Sequence, residues 1–324
     1  MSKLERISPE AFDSEKLYKM REEMCGLLDH PESSSLTLEE LLEFQDKDGS
    51  FKLINTYMVP GDVREAFCHT PTYIGAAVLM KALMSSRDDL DASLEKALKE
   101  CLHTNLYGPG YDSESGRIHA MKIFIKGGLC EFLNTKHELC PDFHQMIHNI
   151  LHEYSVAFMF GKTAGCWGKD YRDQWKDCLD KLPIHKRFYI AYGSNMNKNQ
   201  MQDRCKNAVC VGSAYIEDWQ LTLPFYANIE PQKGSCTPAL VWEIDEDDES
   251  ALDIYEGYQN QCYNKTDIII TVNNHRVSAM AYVMTRKYKR SEKKAPDPDG
   301  YVGRIKQGYK DAGFNEDEFK PLLD

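Results

Sequence analysis

In the first half of the chain, apolar side chains recur every three to four residues, which places them along one face of an α-helix. Alternation of apolar and polar residues, which is typical of a half-buried strand, is scarce there. We therefore predict that residues 1–183 form an all-helical domain, to which the pattern assigns no role. The runs with helical spacing lie near residues 38–44, 72–84, 94–102, 120–133 and 143–160.

From about residue 187 the pattern changes to short apolar runs that are separated by turn-forming residues. Asn273-Asn274 between the last two runs is typical of a hairpin turn. Strands mixed with two helices favour a small closed or strongly curved sheet with helices outside, so the sequence predicts an α+β protein with a second domain at residues 184–324. The boundary is placed within residues 168–186. The predicted strands lie near residues 187–192, 208–215, 219–225, 239–244, 264–272 and 276–285.

The chain of 324 residues is acidic, with 39 Lys and Arg against 51 Asp and Glu and a net charge of -12. This balance argues against nucleic acid or an anionic membrane as a partner. We expect a cytoplasmic protein, because the first residues lack the pattern of a signal peptide and no apolar run is long enough to cross a bilayer. The 11 cysteines are scattered, which predicts reduced thiols. The pattern leaves the oligomeric state open.

The tetrapeptide Tyr192-Gly193-Ser194-Asn195 ends the first predicted strand of the second domain. Gly193 permits a positive φ and a close approach of a ligand to the main chain. Ser194 and Asn195 readily hydrogen-bond nearby backbone groups or begin a helix. Successive N–H groups in such a turn form a concave surface that binds a small anion. Most turns of this composition are only turns, so a site requires a second feature.

Glu256 supplies that second feature. It ends a short acidic helix that begins near Asp245 and stops at Gly257. A carboxylate in the last turn lies at the negative pole of the helix dipole, which disfavours its ionised form and raises its proton affinity. A more basic carboxylate is suited to general base catalysis. The alternative is an ordinary solvated Glu at a helix end.

These features belong to a longer series of motifs. The second half of the chain, from about residue 187 onward, resembles the γ-glutamylcyclotransferase family, including its AIG2-like relatives. Several linked motifs in one order are much more specific than one tetrapeptide. In chain order they are Tyr192-Gly193-Ser194-Asn195, the strand from Gly212 to Asp218, Leu252-Asp253-x-x-Glu256-Gly257, Tyr263, the strand from Met280 to Met284, and Tyr301-x-x-x-Ile305-x-x-Gly308-x-x-x-x-Gly313.

The resemblance implies a compact mixed β-barrel with flanking helices and a small γ-glutamyl substrate, either free or peptide-linked. The turn at residues 192–195 would bind the substrate's α-carboxylate through backbone donors, and Glu256 would be the general acid and base. Tyr263, Tyr282 and Tyr301 occupy positions at which family members often have tyrosines lining the pocket. The substrate's own α-amino group would attack its γ-carbonyl and release 5-oxoproline and an amine, with no metal or nucleotide cofactor.

Two other functions are compatible with the same residues. One is an enzyme that removes a γ-glutamyl protecting group in a biosynthetic pathway. Identifying the leaving group would distinguish this enzyme from a cyclotransferase. The other is a non-catalytic module that binds a γ-glutamyl group or a carboxylate. Glu256 argues against this module, because binding alone does not need a basic carboxylate beside an anion site.

The helical half offers weaker signals. Gln45-x-x-Asp48-Gly49-Ser50-Phe51 resembles a loop of α/α-toroid proteins such as terpene cyclases and protein prenyltransferases, but it covers too little to assign a function. Asp46 and Asp48 suggest a calcium loop, yet the glycine that an EF-hand needs at its sixth position is replaced by Phe51. A helix would align His144, His148 and His152 on one face, where imidazoles bind a divalent metal. Because no acidic ligand lies on the same face, we interpret these three histidines as packing or interface residues.

Overall fold

The computed structural model describes residues 3–104, 113–159, 169–183, 186–224, 226–289 and 298–321. The chain divides into two compact units, Met1–Pro183 and Ile184–Asp324. The first unit is built from helices, and α3 continues through a π-helical turn at Glu65–His69 into α4. Its helices are α1 (Ser14–Asp29), α2 (Leu38–Phe44), α3 (Gly61–Arg64), α4 (Thr70–Met84), α5 (Asp91–Cys101), α6 (Ser113–Lys126), α7 (Leu129–Thr135), α8 (Pro141–Met159) and α9 (Lys169–Asp180).

Helix α4 forms the centre of the first unit because it is apolar on nearly every face, and a helix of that kind is stable only when it is enclosed. It packs against α1, α5, α6 and α7. Gly75 lets the Phe51 ring lie directly on the helix, since a Cβ at this glycine would come within 2.2 Å of the ring. The aromatic end of the Gln-x-x-Asp-Gly-Ser-Phe motif therefore anchors its loop to the core of the first unit.

Lys52 is held at the centre of the same loop. Its Nζ atom donates to Asp46 Oδ2 at 2.8 Å, Asp48 Oδ2 at 2.8 Å and Ser50 Oγ at 2.9 Å. The ammonium group is largely buried, so the two carboxylates neutralise a charge that would otherwise be costly to enclose. Asp46 and Asp48, which suggested a calcium loop, thus bind the ammonium group of Lys52.

His144 and His148 of α8 are buried in the first unit. His144 Nε2 lies 2.9 Å from the Lys136 carbonyl oxygen, and its ring stacks on Phe132 at 4.9 Å. Burial lowers the pKa of His144 to about 3, so this ring is neutral near pH 7. The side chain of His152 lies outside the described residues. In the described part of the chain, no group of three His, Cys, Asp or Glu side chains is arranged to hold a metal ion.

The second unit contains one five-stranded mixed sheet with the order β2-β3-β1-β5-β4. Strand β1 pairs antiparallel with β3 and parallel with β5, so it is central. The strands are β1 (Lys186–Ala191), β2 (Val209–Thr222), β3 (Asn228–Asp245), β4 (Tyr263–Val272) and β5 (His275–Met284), and the helices are α10 (Lys198–Arg204), α11 (Glu246–Tyr255), α12 (Arg286–Lys289) and α13 (Pro298–Asp311).

The sheet curls until its two edge strands meet. Asn273, in the turn between β4 and β5, donates from Nδ2 to the Val211 carbonyl oxygen of β2 at 3.0 Å. Gly212 permits this approach, because a Cβ there would lie 3.0 Å from Asn273 Oδ1. The predicted α+β class, with a helical first part and a small curved mixed sheet with flanking helices in the second, is confirmed.

The prediction of two separate strands between residues 208 and 225 was wrong. The runs predicted as strands near 208–215 and 219–225 form the single strand β2, which continues through a bulge where Asp218 adopts a φ of 62°. The region 168–186, in which the domain boundary is placed, contains α9, and Trp175 of this helix is fully buried. The predicted hairpin turn is present, with positive φ at both Asn273 and Asn274.

Two further predictions from the sequence concern the state of the cysteines and helices that could cross a membrane. The ten cysteines of the described segments are free thiols. No helix in those segments combines the length and the apolar composition needed to cross a bilayer.

Gly308 of α13 lies where this helix touches the turn before α10. A Cβ there would lie 2.6 Å from the carbonyl carbon of Met196 and 2.7 Å from the amide nitrogen of Asn197. These backbone atoms cannot rotate away, so we expect Gly308→Ala to lower the free energy of unfolding by about 1–3 kcal/mol. Gly303→Ala on the same helix meets no atom within 4 Å and should raise it by about 0.5–1 kcal/mol. Equal melting temperatures for the two variants would contradict this packing.

Candidate active site

A cavity of about 300 Å³ opens in the second unit. Its wall combines strand ends, the turn after β1, the end of α11 and the start of α13. All eight residues predicted for the site contribute to this wall, although their catalytic and binding roles stay a prediction. They are Tyr192, Gly193, Ser194, Asn195, Glu256, Tyr263, Tyr282 and Tyr301.

The turn after β1 brings the main chain to the cavity. Ser194–Met196 form one 3-10 turn, and Asn197 then caps α10 by accepting a hydrogen bond from the Gln200 N–H at 3.0 Å. Gly193 does not use the positive φ that glycine permits, because its φ is -111°. Space favours glycine there instead, since a Cβ would lie 3.0 Å from the Ala227 Cβ, closer than side chains normally pack. The turn can therefore lie close to a ligand and to the opposite wall of the cavity.

Asn195 is buried behind the turn, and its amide has a fixed orientation. Its Oδ1 atom accepts hydrogen bonds from Arg204 Nη1 at 2.8 Å and Gln200 Nε2 at 3.2 Å. A guanidinium group only donates, so this side of the amide must be the oxygen. The Nδ2 atom then donates to Glu256 Oε1 at 3.1 Å and to the Tyr189 hydroxyl at 2.8 Å.

Glu256 follows the last turn of α11 and points into the cavity wall, where it is half-buried. Loss of water around the carboxylate raises its pKa to about 7, although Arg204 and the Asn195 hydrogen bond oppose this shift. The sequence predicts a raised proton affinity for Glu256 through the helix dipole. In the structure, burial is the main cause. A carboxyl group with this pKa both accepts and donates protons near neutrality.

Comparison with known proteins identifies the segment that forms this cavity. Residues 189–301 match the family model described as gamma-glutamyl cyclotransferase, AIG2-like. The resemblance inferred from the sequence is confirmed for the C-terminal part of the chain. Comparison with curated proteins gives no match.

Solved structures of similar proteins cover the same part of the chain. A gamma-glutamyl cyclotransferase is 20% identical, with a TM-score of 0.36 over 42% of this chain and 89% of that protein. An uncharacterized protein from Homo sapiens is also 20% identical, with a TM-score of 0.36 over 43% of this chain and 90% of its own. An AIG2-like protein from Mus musculus is 19% identical, with a TM-score of 0.29 over 37% and 93%.

Two tyrosines of the second unit are fixed on the same residue, Ala227. The Tyr263 hydroxyl donates to the Ala227 carbonyl oxygen at 2.8 Å, and the Ala227 N–H donates to the Tyr301 hydroxyl at 2.9 Å. Burial raises the pKa of both hydroxyl groups, so both are neutral near pH 7. These contacts hold the two rings as rigid walls of the cavity.

Tyr192 and Tyr282 are anchored differently. The Tyr192 hydroxyl donates to the Tyr282 carbonyl oxygen, and the Tyr282 hydroxyl donates to Asp253 Oδ1 at 2.6 Å. Asp253 also binds the ammonium group of Lys265 at 2.9 Å. Tyr282 thus presents its ring to the cavity while its hydroxyl is engaged with charged residues of α11 and β4.

Several residues of the candidate site were not predicted from the sequence. Gln200 and Arg204 lie one helical turn apart on α10, so both reach back to the amide of Asn195. The spacing of Gln200 and Arg204 after the Asn197 cap is visible in the sequence, and it indicates that both side chains lie on one face of α10. Tyr189 and Arg304 also line the cavity. Their position depends on tertiary packing, which the local sequence does not reveal.

Proposed function

We propose that the second unit is a γ-glutamyl cyclotransferase that releases 5-oxoproline from a γ-glutamyl amine, amino acid or isopeptide. The observation that supports this activity best is the position of Glu256. Its carboxylate lies on the wall of the cavity that the turn at residues 192–195 also lines, and it is oriented by Asn195 at 3.1 Å. A base and an anion-binding turn on one small cavity are what intramolecular cyclisation of a γ-glutamyl group requires.

Substrate binding would place the two ends of the γ-glutamyl group against different parts of the wall. Backbone N–H groups of the turn would bind the α-carboxylate, as the family resemblance implies, because a turn of this kind presents several donors to one anion. The rigid rings of Tyr263 and Tyr301 would keep the chain folded, so that the α-nitrogen lies against the γ-carbonyl carbon. Both reacting groups belong to one molecule, and holding them in contact supplies much of the rate enhancement.

Proton transfer would be the task of Glu256. Its ionised carboxylate takes a proton from the α-ammonium group, and the freed amine attacks the γ-carbonyl carbon to close a five-membered ring. The protonated Glu256 then returns this proton to the leaving nitrogen as the bond between that nitrogen and the γ-carbon breaks, and the ring nitrogen loses its second proton to water. The products are 5-oxoproline and the free amine, and Glu256 is again ionised. A pKa near the working pH suits both steps.

The acid limb of the pH profile should report the ionisation of Glu256. With a pKa of about 7, the carboxyl group is protonated at lower pH and cannot accept a proton. We therefore expect kcat/KM to rise about tenfold per pH unit below this pKa and to level off above it. The measurement is 5-oxoproline release between pH 5 and 9. A rate that is constant from pH 5 to 8 would remove Glu256 as the base.

The proposed activity is tested by incubating the full-length protein with γ-glutamyl amino acids, γ-glutamyl amines and ε-(γ-glutamyl)lysine. Direct detection of 5-oxoproline by mass spectrometry separates cyclisation from hydrolysis, which yields glutamate. We expect 5-oxoproline and the free amine in equal amounts from at least one class. Binding without turnover of any compound would favour a carboxylate-binding module instead.

A further inference from the structure

The proposed reaction creates one negative charge that still needs a hydrogen-bond donor. When the α-nitrogen attacks, an electron pair of the γ-carbonyl double bond moves to the carbonyl oxygen. This oxygen stays negatively charged until the bond to the leaving nitrogen breaks. The N–H groups of the turn at residues 192–195 are assigned to the α-carboxylate, and Glu256 is assigned to the proton. A fixed donor beside the γ-carbonyl oxygen would lower the energy of the transition state.

Tyr189 of β1 lines the cavity beside these groups. Its side chain is buried, and its hydroxyl oxygen accepts a hydrogen bond from Asn195 Nδ2 at 2.8 Å. The same Nδ2 atom donates to Glu256 Oε1 at 3.1 Å. One amide group therefore holds the Tyr189 hydroxyl and the Glu256 carboxylate next to each other on the cavity wall.

The Tyr189 hydroxyl can donate a hydrogen bond as well as accept one. Its bond with Asn195 uses only the oxygen, so the hydrogen is left for another partner. In the described parts of the chain, no group accepts this hydrogen. Burial and the nearby Glu256 carboxylate raise the pKa of Tyr189, which keeps the hydroxyl protonated near pH 7. Tyr189 can therefore donate to a ligand in the cavity.

The ring that carries this hydroxyl is held rigidly. Tyr189 lies in the central strand of the sheet, where it pairs with Trp242 of β3 on one side and Met280 of β5 on the other. Its ring contacts the Tyr282 ring edge to face, with 5.9 Å between the centroids. A donor that is already in place before the reaction stabilises a transition state without a cost of reorganisation.

We propose that the Tyr189 hydroxyl donates a hydrogen bond to the γ-carbonyl oxygen as this oxygen becomes negatively charged, which makes Tyr189 a second catalytic residue beside Glu256. This inference rests on the proposed cyclotransferase activity. Glu256 must reach the α-nitrogen and the leaving nitrogen, and both are bonded to the γ-carbon in the intermediate, so this carbon lies next to the carboxylate. The hydroxyl held by the same amide then reaches the oxygen on that carbon. Tyr189 keeps its proton throughout, and the electron pair returns from the oxygen to form the carbonyl double bond again as the leaving nitrogen departs.

Tyr189→Phe removes the donor and keeps the ring. We expect kcat for 5-oxoproline release from γ-glutamylalanine to fall by about tenfold, at the lower end of what a hydrogen bond to a charged group contributes, because water can partly replace the hydroxyl in an open cavity. KM should change by less than about twofold, since the bond forms in the transition state. The acid limb of the pH profile should stay in place, because burial, Arg204 and Asn195 determine the pKa of Glu256.

Two further variants separate a hydrogen-bond donor from a structural group. Site-specific replacement of Tyr189 by 3-fluorotyrosine keeps the ring and the bond from Asn195, and its more acidic hydroxyl is a stronger donor. We expect its kcat to equal or exceed the wild-type value. Tyr215→Phe makes the same change on β2, where the hydroxyl donates to Glu318 Oε2 at 2.8 Å away from the cavity wall, and should leave kcat within about twofold.

A wild-type kcat in Tyr189→Phe would overturn the role of Tyr189 and leave the cyclotransferase activity standing. A kcat of the 3-fluorotyrosine variant as low as that of Tyr189→Phe would have the same meaning, as would a loss in Tyr189→Phe that lies only in KM. Failure of the wild-type protein to release 5-oxoproline is a distinct result, because it would overturn the proposed activity together with the inference.

Discussion

Glu256→Gln is expected to lower kcat for 5-oxoproline release by about 10²–10⁴-fold, the range that general acid and base catalysis contributes. Glutamine has nearly the same shape and still accepts the hydrogen bond from Asn195 Nδ2, but it cannot take a proton from the substrate. Substrate binding should persist, because the turn at residues 192–195 is unchanged. The measurement is steady-state kinetics near pH 8, together with binding of an unreacted γ-glutamyl ligand.

Asp247→Asn is a suitable control for Glu256→Gln. It removes an exposed carboxylate from the first turn of the same helix, α11, and should leave kcat within about twofold. A Glu256→Gln variant with nearly wild-type activity would remove this residue from the mechanism.

Glu256→Gln should also change the free energy of unfolding, and the raised pKa of Glu256 determines the sign of this change. The pKa of folded Glu256, about 7, lies above its ordinary value of 4.5, so the folded state binds this proton more tightly than the unfolded state does. This contribution to stability is present at low pH and is lost as the pH rises through 7. Glutamine avoids the cost of ionisation, so Glu256→Gln should be more stable than wild type at pH 8, by on the order of 2 kcal/mol. The difference should vanish near pH 4.

Asn195→Asp is expected to have the second largest effect. The new carboxylate would lie at hydrogen-bond distance from Glu256, and like charges at this distance raise the pKa of one of them. The amide donor to Glu256 is lost as well. We expect the acid limb of the pH profile to move up by about one unit or more and kcat/KM at pH 7 to fall by about 10–100-fold. The full pH profile of the variant is the measurement.

Asn197→Asp makes the same chemical change two residues later. Asn197 caps α10 by accepting from the Gln200 N–H, and aspartate caps a helix about as well. Its pH profile should match the wild type. If Asn195→Asp also kept the wild-type profile, the hydrogen bond between Asn195 and Glu256 would have no influence on catalysis.

Local sequence was sufficient to predict the parts of the site that depend on turns and helix ends. The apolar run before Tyr192, the Gly-Ser-Asn turn and the Glu256-Gly257 helix end each have a short-range physical cause, so their positions could be predicted. The Asn273-Asn274 hairpin was predicted for the same reason. All of these features are present in the structure.

Features that depend on tertiary packing were not predicted from the sequence. Space favours glycine at position 193 because Ala227, 34 positions away in sequence, lies against it, and no local pattern reveals such a neighbour. The raised pKa of Glu256 was expected, but its main cause is burial by elements from several parts of the unit. Gln200 and Arg204 were missed because their partner, the amide of Asn195, is defined only once α10 packs behind the turn.

The central claim is that the γ-carbonyl group is attacked by the substrate's own nitrogen and that Glu256 moves the proton. The most direct measurement is turnover of γ-glutamylalanine in water enriched in ¹⁸O, with mass analysis of every product. We predict 5-oxoproline without ¹⁸O and an equal amount of alanine from the wild-type protein, and both products at least about 100-fold more slowly from Glu256→Gln. Glutamate that carries ¹⁸O as the primary product would show attack by water and would contradict the account.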